Sequence, residues 1–221
     1  MSILDWAFIG ILTTAILFAF FSSVFFVVHF FTKQKYRKIK QVRSKNKKKH
    51  RILKKKAFFL KKKSKQQLKL GIVLLVCALL LGGSASFARY YQATNLGDRD
   101  STAIVEGYYL LEKTSQQLGE VPTVSNIEKA RNNLRELAAK LSGFGIRYAD
   151  PKLTADGQRV LNRYYTQVKE LGLNLNNQSI ENLQEKSIND QYLADIEKVQ
   201  KKQKEVFSYF KVNESALQQK K

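Results

Sequence analysis

The sequence predicts an all-α membrane protein, in which two transmembrane helices form a hairpin and about four further helices form a bundle outside the cytoplasm. Two apolar runs lie before residue 90, and a strongly basic segment separates them. Amphipathic helical patterns fill the remainder of the 221 residues, where the alternation typical of strands is missing. These three observations set the predicted fold class.

Residues 6–31 form the first apolar run, with twenty-six residues and no Asp, Glu, Lys or Arg. At about 1.5 Å per residue, a helix of this length exceeds the roughly 30 Å hydrocarbon core of a bilayer. We therefore predict a tilted transmembrane helix, preceded by a short external N-terminus at residues 1–5. Its hydroxyl side chains would either contact another membrane helix or bond their own backbone. They are Thr13, Thr14, Ser22 and Ser23.

Residues 32–69 form a polybasic segment with nineteen Lys and Arg and no acidic residue, in a chain whose net charge is +21. Because the charge is concentrated here, it argues for a particular partner at this segment. Lysine triplets alternate with a Phe-Phe-Leu group in its second half. The residues expected to bind lipid or another polyanion are Lys47, Lys48, Lys49, Arg51, Lys54, Lys55, Lys56, Phe58, Phe59, Lys61, Lys62 and Lys63.

Three kinds of partner fit this segment, beyond its role as a simple orientation signal. Anionic lipid is the first choice, because both ends are held at a bilayer and each nearby cation contributes about 1 kcal/mol. Phe58 and Phe59 would then be apolar anchors, and the stretch resembles polybasic-aromatic segments of peripheral membrane proteins in composition only. Nucleic acid is the second choice, since lysine runs bind phosphate without sequence preference. An acidic cytoplasmic protein is the third.

Residues 70–89 are predicted as the second transmembrane helix. Their apolar run of nineteen residues ends at Ala88, which is just long enough to cross a bilayer. The small residues at 84–86 follow lysines and an apolar stretch, as in a signal-peptide cleavage site, so cleavage there is the alternative.

Charge asymmetry predicts the orientation of both spans. Cations resist transfer across a membrane, so the segment 32–69 is expected to be a cytoplasmic loop. The chain would then be a multi-pass protein of the cell membrane with two spans, and both termini would lie outside the cytoplasm.

Residues 90–97 are predicted as a juxtamembrane linker, and residues 98–212 as the outer helical domain. A first helix would be capped by Asp100 or Ser101 and would end near Leu118. A second would begin with a capping box, in which Ser125 pairs with Glu128. The apolar stripe of this second helix comprises Ile127, Ala130, Leu134, Leu137 and Leu141.

Two further helices are predicted before a polar tail at residues 213–221. The third would begin at Thr154 and stop near Gly172. The fourth would run from about Ser179 to beyond Phe210, with a break near Ser187. In the tyrosine pairs at 108–109 and 164–165, one ring is expected in the core and its neighbour at the surface.

The outer domain contains no residue pattern that points to catalysis. It lacks Cys and His, and the chain contains no P-loop, HExxH, GxSxG or CxxC motif. We therefore expect no enzyme activity, no metal site and no cofactor. Two alternatives stay open: a cell-wall hydrolase that uses paired outer carboxylates, and a membrane sensor whose outer domain binds a ligand.

The segment between Gly143 and Leu153 is the most loop-like part of the outer domain. Phe144, Ile146 and Tyr148 alternate there with other residues, so they form a candidate partner-binding loop. The other interpretation is that they fold back and plug the helical core.

The sequence as a whole predicts a non-enzymatic scaffold or adaptor of a Gram-positive bacterial envelope. Its outer domain would bind a protein partner, and its polybasic loop would bind anionic lipid or cytoplasmic machinery. Cell-wall synthesis, division, secretion and conjugation assemblies all fit. Membrane or outer helices would also allow the chain to form oligomers.

Overall fold

The computed structural model describes residues 3–42 and 47–218, which fall into two compact units, Met1–Tyr90 and Tyr91–Lys221. Helices account for nearly all of these described residues, and none of them lies in a strand. The prediction of an all-α chain is therefore confirmed.

The N-terminal unit consists of helix α1, Ile3–Gln41, and the greater part of helix α2, Lys47–Thr94. Each contains one of the two apolar runs, and both helices are long and apolar enough to cross a membrane. Only 11% of the apolar window of each is buried. The core helix of a water-soluble protein would instead be mostly buried.

Two hydrogen bonds fix how α1 and α2 pair. The Ser22 hydroxyl donates to the Gly71 carbonyl oxygen at 2.8 Å, and His29 Nδ1 lies 2.8 Å from the Ser64 carbonyl oxygen. A step of seven residues forward in α1 thus matches seven residues backward in α2. The two helices are therefore antiparallel and stay in one register between these contacts.

The facing residues of α1 and α2 recur at intervals of three and four, which keeps them on one side of each helix. In α1 the buried and half-buried positions include Phe8, Ile11, Ala15, Phe18, Ser22, Phe25, His29, Thr32, Tyr36 and Ile39. In α2 they include Leu53, Ala57, Leu60, Ser64, Gln67, Gly71, Leu74, Ala78, Leu81, Ala85 and Ala88.

Of the four hydroxyl side chains in the first apolar run, Ser22 reaches the other helix. Thr13, Thr14 and Ser23 donate to carbonyl oxygens of their own helix. Both alternatives drawn from the sequence therefore occur, at different residues.

The C-terminal unit contains six helices within the part of the chain that the structure describes. They are α3, Asp98–Glu120; α4, Ile127–Ser142; α5, Ala155–Asn176; α6, Ile180–Gln184; α7, Lys186–Phe210; and α8, Glu214–Gln218. Short 3₁₀ turns lie at Val121–Thr123 and Gly143–Ile146. The four long helices pack in a ring, with α3 and α5 each against both α4 and α7. Their shared core includes Ile104, Leu111, Leu118, Leu141, Leu161, Val168, Ile196 and Val206.

Two helix starts differ from the sequence-based prediction. The cap of α4 is Asn126, whose side chain accepts a hydrogen bond from the Lys129 amide at 3.0 Å, so the capping box at Ser125 is wrong by one residue. Ile127, predicted in the apolar stripe, is 41% exposed because it lies in the first turn. The cap of α3 is Gly97, and Asp100 lies buried in the first turn instead.

The end of α5 also differs, and the reason is packing. Thr154 caps the helix as predicted, accepting from the Gly157 amide at 3.2 Å. The helix continues beyond Gly172 to Asn176, however. A Cβ at Gly172 would lie 2.4 Å from the Ser142 backbone nitrogen, so this glycine permits close approach of α4 and does not end α5.

The last part of the chain agrees in outline with the prediction. The break near Ser187 occurs at Glu185, where the backbone is extended between α6 and α7. The segment predicted as a polar tail contains α8. Its Leu217 is buried, and the Tyr109 hydroxyl donates to the Leu217 carbonyl oxygen at 2.9 Å. Part of the tail therefore packs on the core.

Candidate functional site

Residues 43–46, which include Arg43 and Lys45, lie outside the described residues. The polybasic segment is helical on both sides of them. Its residues are good helix formers, and neither Gly nor Pro interrupts 47–69. Leu53, Ala57 and Leu60 continue the contact stripe toward α1. The lysines and arginine predicted to bind a polyanion thus occupy the outer sides of α2. We call the cationic residues of 33–42 and 47–69 the basic surface.

All twelve residues predicted to bind lipid or a polyanion are exposed on α2. Phe58 is 73% exposed and Phe59 is 65% exposed. On a helix, residues three and four apart are neighbours, so each ring lies beside lysines from both the 54–56 and the 61–63 triplets. The structure therefore surrounds two exposed aromatic rings with positive charge.

A shallow apolar cavity of about 360 Å³ lies next to Phe59. Ile39 of α1 lines it together with Lys55, Lys56, Phe59 and Leu60 of α2. The lysine stems supply apolar surface while their ammonium groups reach solvent. Apolar surface and positive charge therefore lie next to each other at this cavity.

The second candidate surface is the loop after α4. The three loop residues predicted from the sequence separate there. Phe144 is 1% exposed and its ring packs against Tyr164 and Tyr165, with centroid separations of 6.5 and 6.0 Å. Ile146 is 86% exposed and Tyr148 is 70% exposed. We call Ile146 and Tyr148 the loop surface.

A buried carboxylate holds this loop in place. Asp100 is 2% exposed; it accepts hydrogen bonds from the Asp150 amide at 2.8 Å and from the Tyr165 hydroxyl at 3.2 Å. Arg99 lies 3.7 Å from the same carboxylate and also donates to the Tyr148 carbonyl oxygen at 2.5 Å. The partial positive charge at the N-terminus of α3 further favours a carboxylate there.

Further hydrogen bonds hold the backbone of the loop and the residues that follow it. The Ala149 amide donates to the Asn162 side chain at 2.9 Å, and the Lys152 amide donates to the Asp150 carboxylate at 2.9 Å. The Thr154 amide donates to the Ala93 carbonyl oxygen at 3.0 Å. The backbone under the loop surface is therefore fixed, although its apolar side chains point to solvent.

A cavity of about 410 Å³ lies beside the loop surface. Two carboxylates, Asp100 and Glu106, line it, as do cationic side chains of α3, α4 and the loop. Glu106 accepts a hydrogen bond from Arg147 at 2.5 Å, and Arg147 stacks 4.6 Å above the Phe144 ring. Both carboxylates thus make hydrogen bonds within the unit, an arrangement that stabilises the loop.

The hydroxyls of Tyr164 and Tyr165 are buried in this region. Burial raises the pKa of Tyr165 well above its usual value, and the adjacent Asp100 carboxylate raises it further. Burial also raises the pKa of Tyr164, although Gln203 donates a hydrogen bond to its oxygen at 2.8 Å. Tyr165 therefore stays protonated and donates to Asp100. Sequence reasoning placed one ring of this pair at the surface, but both are buried because Asp100 supplies a partner.

Comparison of the chain with protein-family models, curated proteins and solved structures finds no match.

Proposed function

We propose that this chain is a non-enzymatic membrane adaptor. Helices α1 and α2 would cross the cell membrane as a hairpin, with the basic surface in the cytoplasm and the C-terminal unit outside as a helical bundle. The loop surface would bind a protein partner of the bacterial envelope. The basic surface would bind anionic groups at the cytoplasmic face of the membrane.

One observation carries this proposal: the large apolar side chains of α1 and α2 point outward. Phe20, Leu79 and Leu80 are between 63% and 67% exposed, and comparable residues recur around both helices. Such extensive exposed apolar surface is unfavourable in water but matches a hydrocarbon surrounding. The nineteen cations between the two runs support the cytoplasmic placement of that segment.

The loop surface supports the partner-binding half of the proposal. Ile146 and Tyr148 are apolar or aromatic, strongly exposed and carried by a fixed backbone. A rigid loop loses little conformational entropy on binding, so each exposed side chain contributes more to affinity. Tyrosine is also one of the residues most often found as a binding hot spot in protein interfaces.

The experiment is site-specific photo-crosslinking in living cells. A photoreactive phenylalanine analogue placed at Tyr148 should give a discrete crosslinked product that weakens when Ile146→Ser is added. The same analogue at Leu173, an exposed apolar position of α5, is the matched control and should give no such product. Equal crosslinking from Leu173 and Tyr148, or none from Tyr148, would contradict partner binding at this loop.

The hydrolase alternative rests on Asp100 and Glu106, which share one cavity. A hydrolase of this kind needs one carboxyl to donate a proton and another to act as base or nucleophile. Here each carboxylate is occupied by hydrogen bonds from the unit itself. This favours the adaptor, and a Glu106→Gln variant that lost wall-degrading activity in a gel assay would restore the hydrolase.

A further inference from the structure

The apolar surfaces of α1 and α2 end at different heights along the helix pair. The register set by Ser22 with Gly71 and His29 with Ser64 places Val24 level with Lys69, and Phe31 level with Lys62. The apolar run of α2 begins at Leu70, level with Ser23, so the apolar run of α1 extends eight residues further toward the basic end. At 1.5 Å per residue, this offset is about 12 Å.

Within that offset, opposite kinds of side chain lie at the same height. In α1, Val27, Val28, Phe30 and Phe31 are 40–58% exposed. In α2, Lys62, Lys63, Lys65 and Lys69 are exposed. One helix thus presents apolar surface where the other presents four ammonium groups. We call these eight residues the belt.

The belt is tall enough to span a lipid headgroup layer. A bilayer is about 40–45 Å thick with its headgroups and about 30 Å without them, which leaves roughly 5–7 Å for each headgroup layer. In that layer, aromatic rings meet the upper acyl chains, and lysine side chains reach phosphate groups by extending along the helix. The offset of about 12 Å therefore spans one headgroup layer with several ångströms to spare, a distance that a lysine side chain covers by extending along the helix.

We propose that the belt is the binding site for anionic phospholipid of the cytoplasmic leaflet. This inference rests on the proposed function, because it requires α1 and α2 to cross the membrane with the basic surface inside. Its ligand is the headgroup phosphate of an anionic lipid, held by Lys62, Lys63, Lys65 and Lys69 while Phe30 and Phe31 contact the acyl chains.

The same geometry removes Phe58 and Phe59 from the lipid site. On the continuous helix α2, Phe58 lies eight residues before Gln66, at the middle of the belt, which is about 12 Å along the axis. That distance exceeds both the headgroup layer and the screening length of about 8–10 Å at physiological salt. The outer part of the basic surface, from Lys47 to Phe59, therefore remains available to a cytoplasmic partner.

The test uses the full chain reconstituted in phosphatidylcholine vesicles that contain phosphatidylglycerol. Spin-labelled versions of both lipids report which one associates with the protein. The belt variant replaces Lys62, Lys63, Lys65 and Lys69 with Gln. The matched control removes four charges further out, by replacing Lys47, Lys54, Lys55 and Lys56 with Gln. A Lys→Arg variant of the belt tests whether charge suffices.

The unaltered chain should prefer phosphatidylglycerol, and 1 M salt should remove the preference. In the belt Gln variant, the preference for phosphatidylglycerol should fall at least about fivefold, which is the factor expected from the loss of even one cation at an anionic surface. The outer variant and the belt Arg variant should stay within about twofold of the unaltered chain. Loss in the outer variant, or retention in the belt Gln variant, would overturn the inference.

A second measurement distinguishes an error in the proposed lipid site from an error in the proposed topology. In the same vesicles, a cysteine introduced at Lys55 in a Cys77→Ser background reports on which side the basic surface lies. If this cysteine shares the side of the C-terminal unit, the proposed topology fails. If it lies on the opposite side and lipid preference is independent of the belt lysines, only the present inference fails.

Discussion

The two units of this chain distribute their side chains in opposite ways. In the N-terminal unit, small or polar residues such as Ser22 and Ala85 are each 1% exposed, whereas Leu79 and Leu80 point outward. In the C-terminal unit, Leu111 and Leu161 are fully buried, and charged residues of the helices other than Asp100, such as Lys140 and Arg159, lie at the surface. The N-terminal unit therefore buries small side chains between its helices, and the C-terminal unit buries large ones.

The proposed membrane placement of α1 and α2 explains this difference, because the surrounding solvent, more than helical propensity, then decides which residues pack between helices. In water, burying a large aliphatic side chain contributes about 1.5–3 kcal/mol, so leucines line the core. In hydrocarbon this driving force is absent, and close backbone approach with cross-helix hydrogen bonds holds helices together. The pairing of Ser22 with Gly71 fits the second case.

The largest expected effect is Gly172→Ala in the C-terminal unit. The new Cβ would lie 2.4 Å from the Ser142 nitrogen and 2.7 Å from Leu141, and a backbone cannot yield as a flexible side chain does. We expect a loss of about 3 kcal/mol or more in the free energy of unfolding. Urea denaturation of residues 91–221, expressed on their own and checked for cooperative unfolding, measures it.

Two alanine substitutions serve as controls for this effect. Gly119→Ala meets no atom within 4 Å near the end of α3 and should be neutral or stabilise by up to about 1 kcal/mol. Gly71→Ala in the N-terminal unit meets Phe26 at an ordinary 3.4 Å. It should leave disulfide crosslinking between Ala15→Cys and Ala78→Cys unchanged in a Cys77→Ser background. A Gly172→Ala variant as stable as Gly119→Ala would contradict the close approach of α4 and α5.

The next effect is Asp100→Ala, which tests how the loop surface is held. The substitution leaves the Asp150 amide and the Tyr165 hydroxyl without their acceptor, at a cost of about 2–3 kcal/mol. Hydrogen exchange of the Asp150 amide should accelerate. The control, Asp195→Ala, removes an exposed ion pair with Lys198 and should change stability by less than about 1 kcal/mol. Unchanged exchange at Asp150 would refute the anchoring role.

A smaller effect concerns alkaline pH. Burial raises the pKa of Tyr164 in the folded unit above the value of about 10 that it has when unfolded. Below pH 10 the hydroxyl is protonated in both states, so the free energy of unfolding does not change with pH through this group. Above pH 10 only the unfolded chain releases the proton, so stability falls by about 1 kcal/mol per pH unit.

Urea midpoints of residues 91–221 between pH 9 and 11 check this expectation. Tyr164→Phe should make the alkaline loss shallower, whatever its effect at pH 7. An identical slope in the variant would show that Tyr164 is not the group responsible.

The smallest effect is Lys211→Gly at the end of α7. Lys211 has φ 56°, the left-handed conformation that glycine adopts without steric cost. We expect a gain of about 0.5–1 kcal/mol for glycine and none for Lys211→Ala, measured by thermal denaturation. Equal stability of the Gly and Ala variants would refute the conformational explanation.

The sequence predicted the helical elements well because their signals are local. Apolar runs, the Thr154 cap and the break near Ser187 each depend on a few neighbouring residues. Contacts between distant residues were not predictable in this way. Gly172 resembles a helix stop until Ser142 is known to lie against it.

The candidate site shows the same limit. Periodicity does not reveal that Asp100 and Asp150 meet, so the anchoring of the loop surface was missed. Likewise, the sequence shows Phe58 and Phe59 among lysines. Their distance from the apolar run can be calculated only once α2 is known to be one continuous helix. The register of α1 against α2, which defines the belt, depends on side-chain contacts 35 and 49 residues apart.

We propose above that the basic surface and the C-terminal unit lie on opposite sides of the cell membrane. The most direct test is labelling of intact cells with a membrane-impermeant maleimide, using single cysteines at Lys55 or Ser187 in a Cys77→Ser background. With this topology, we expect Ser187→Cys to be labelled in intact cells and Lys55→Cys to be labelled only after lysis. Labelling of Lys55→Cys in intact cells, with Ser187→Cys protected, would contradict it.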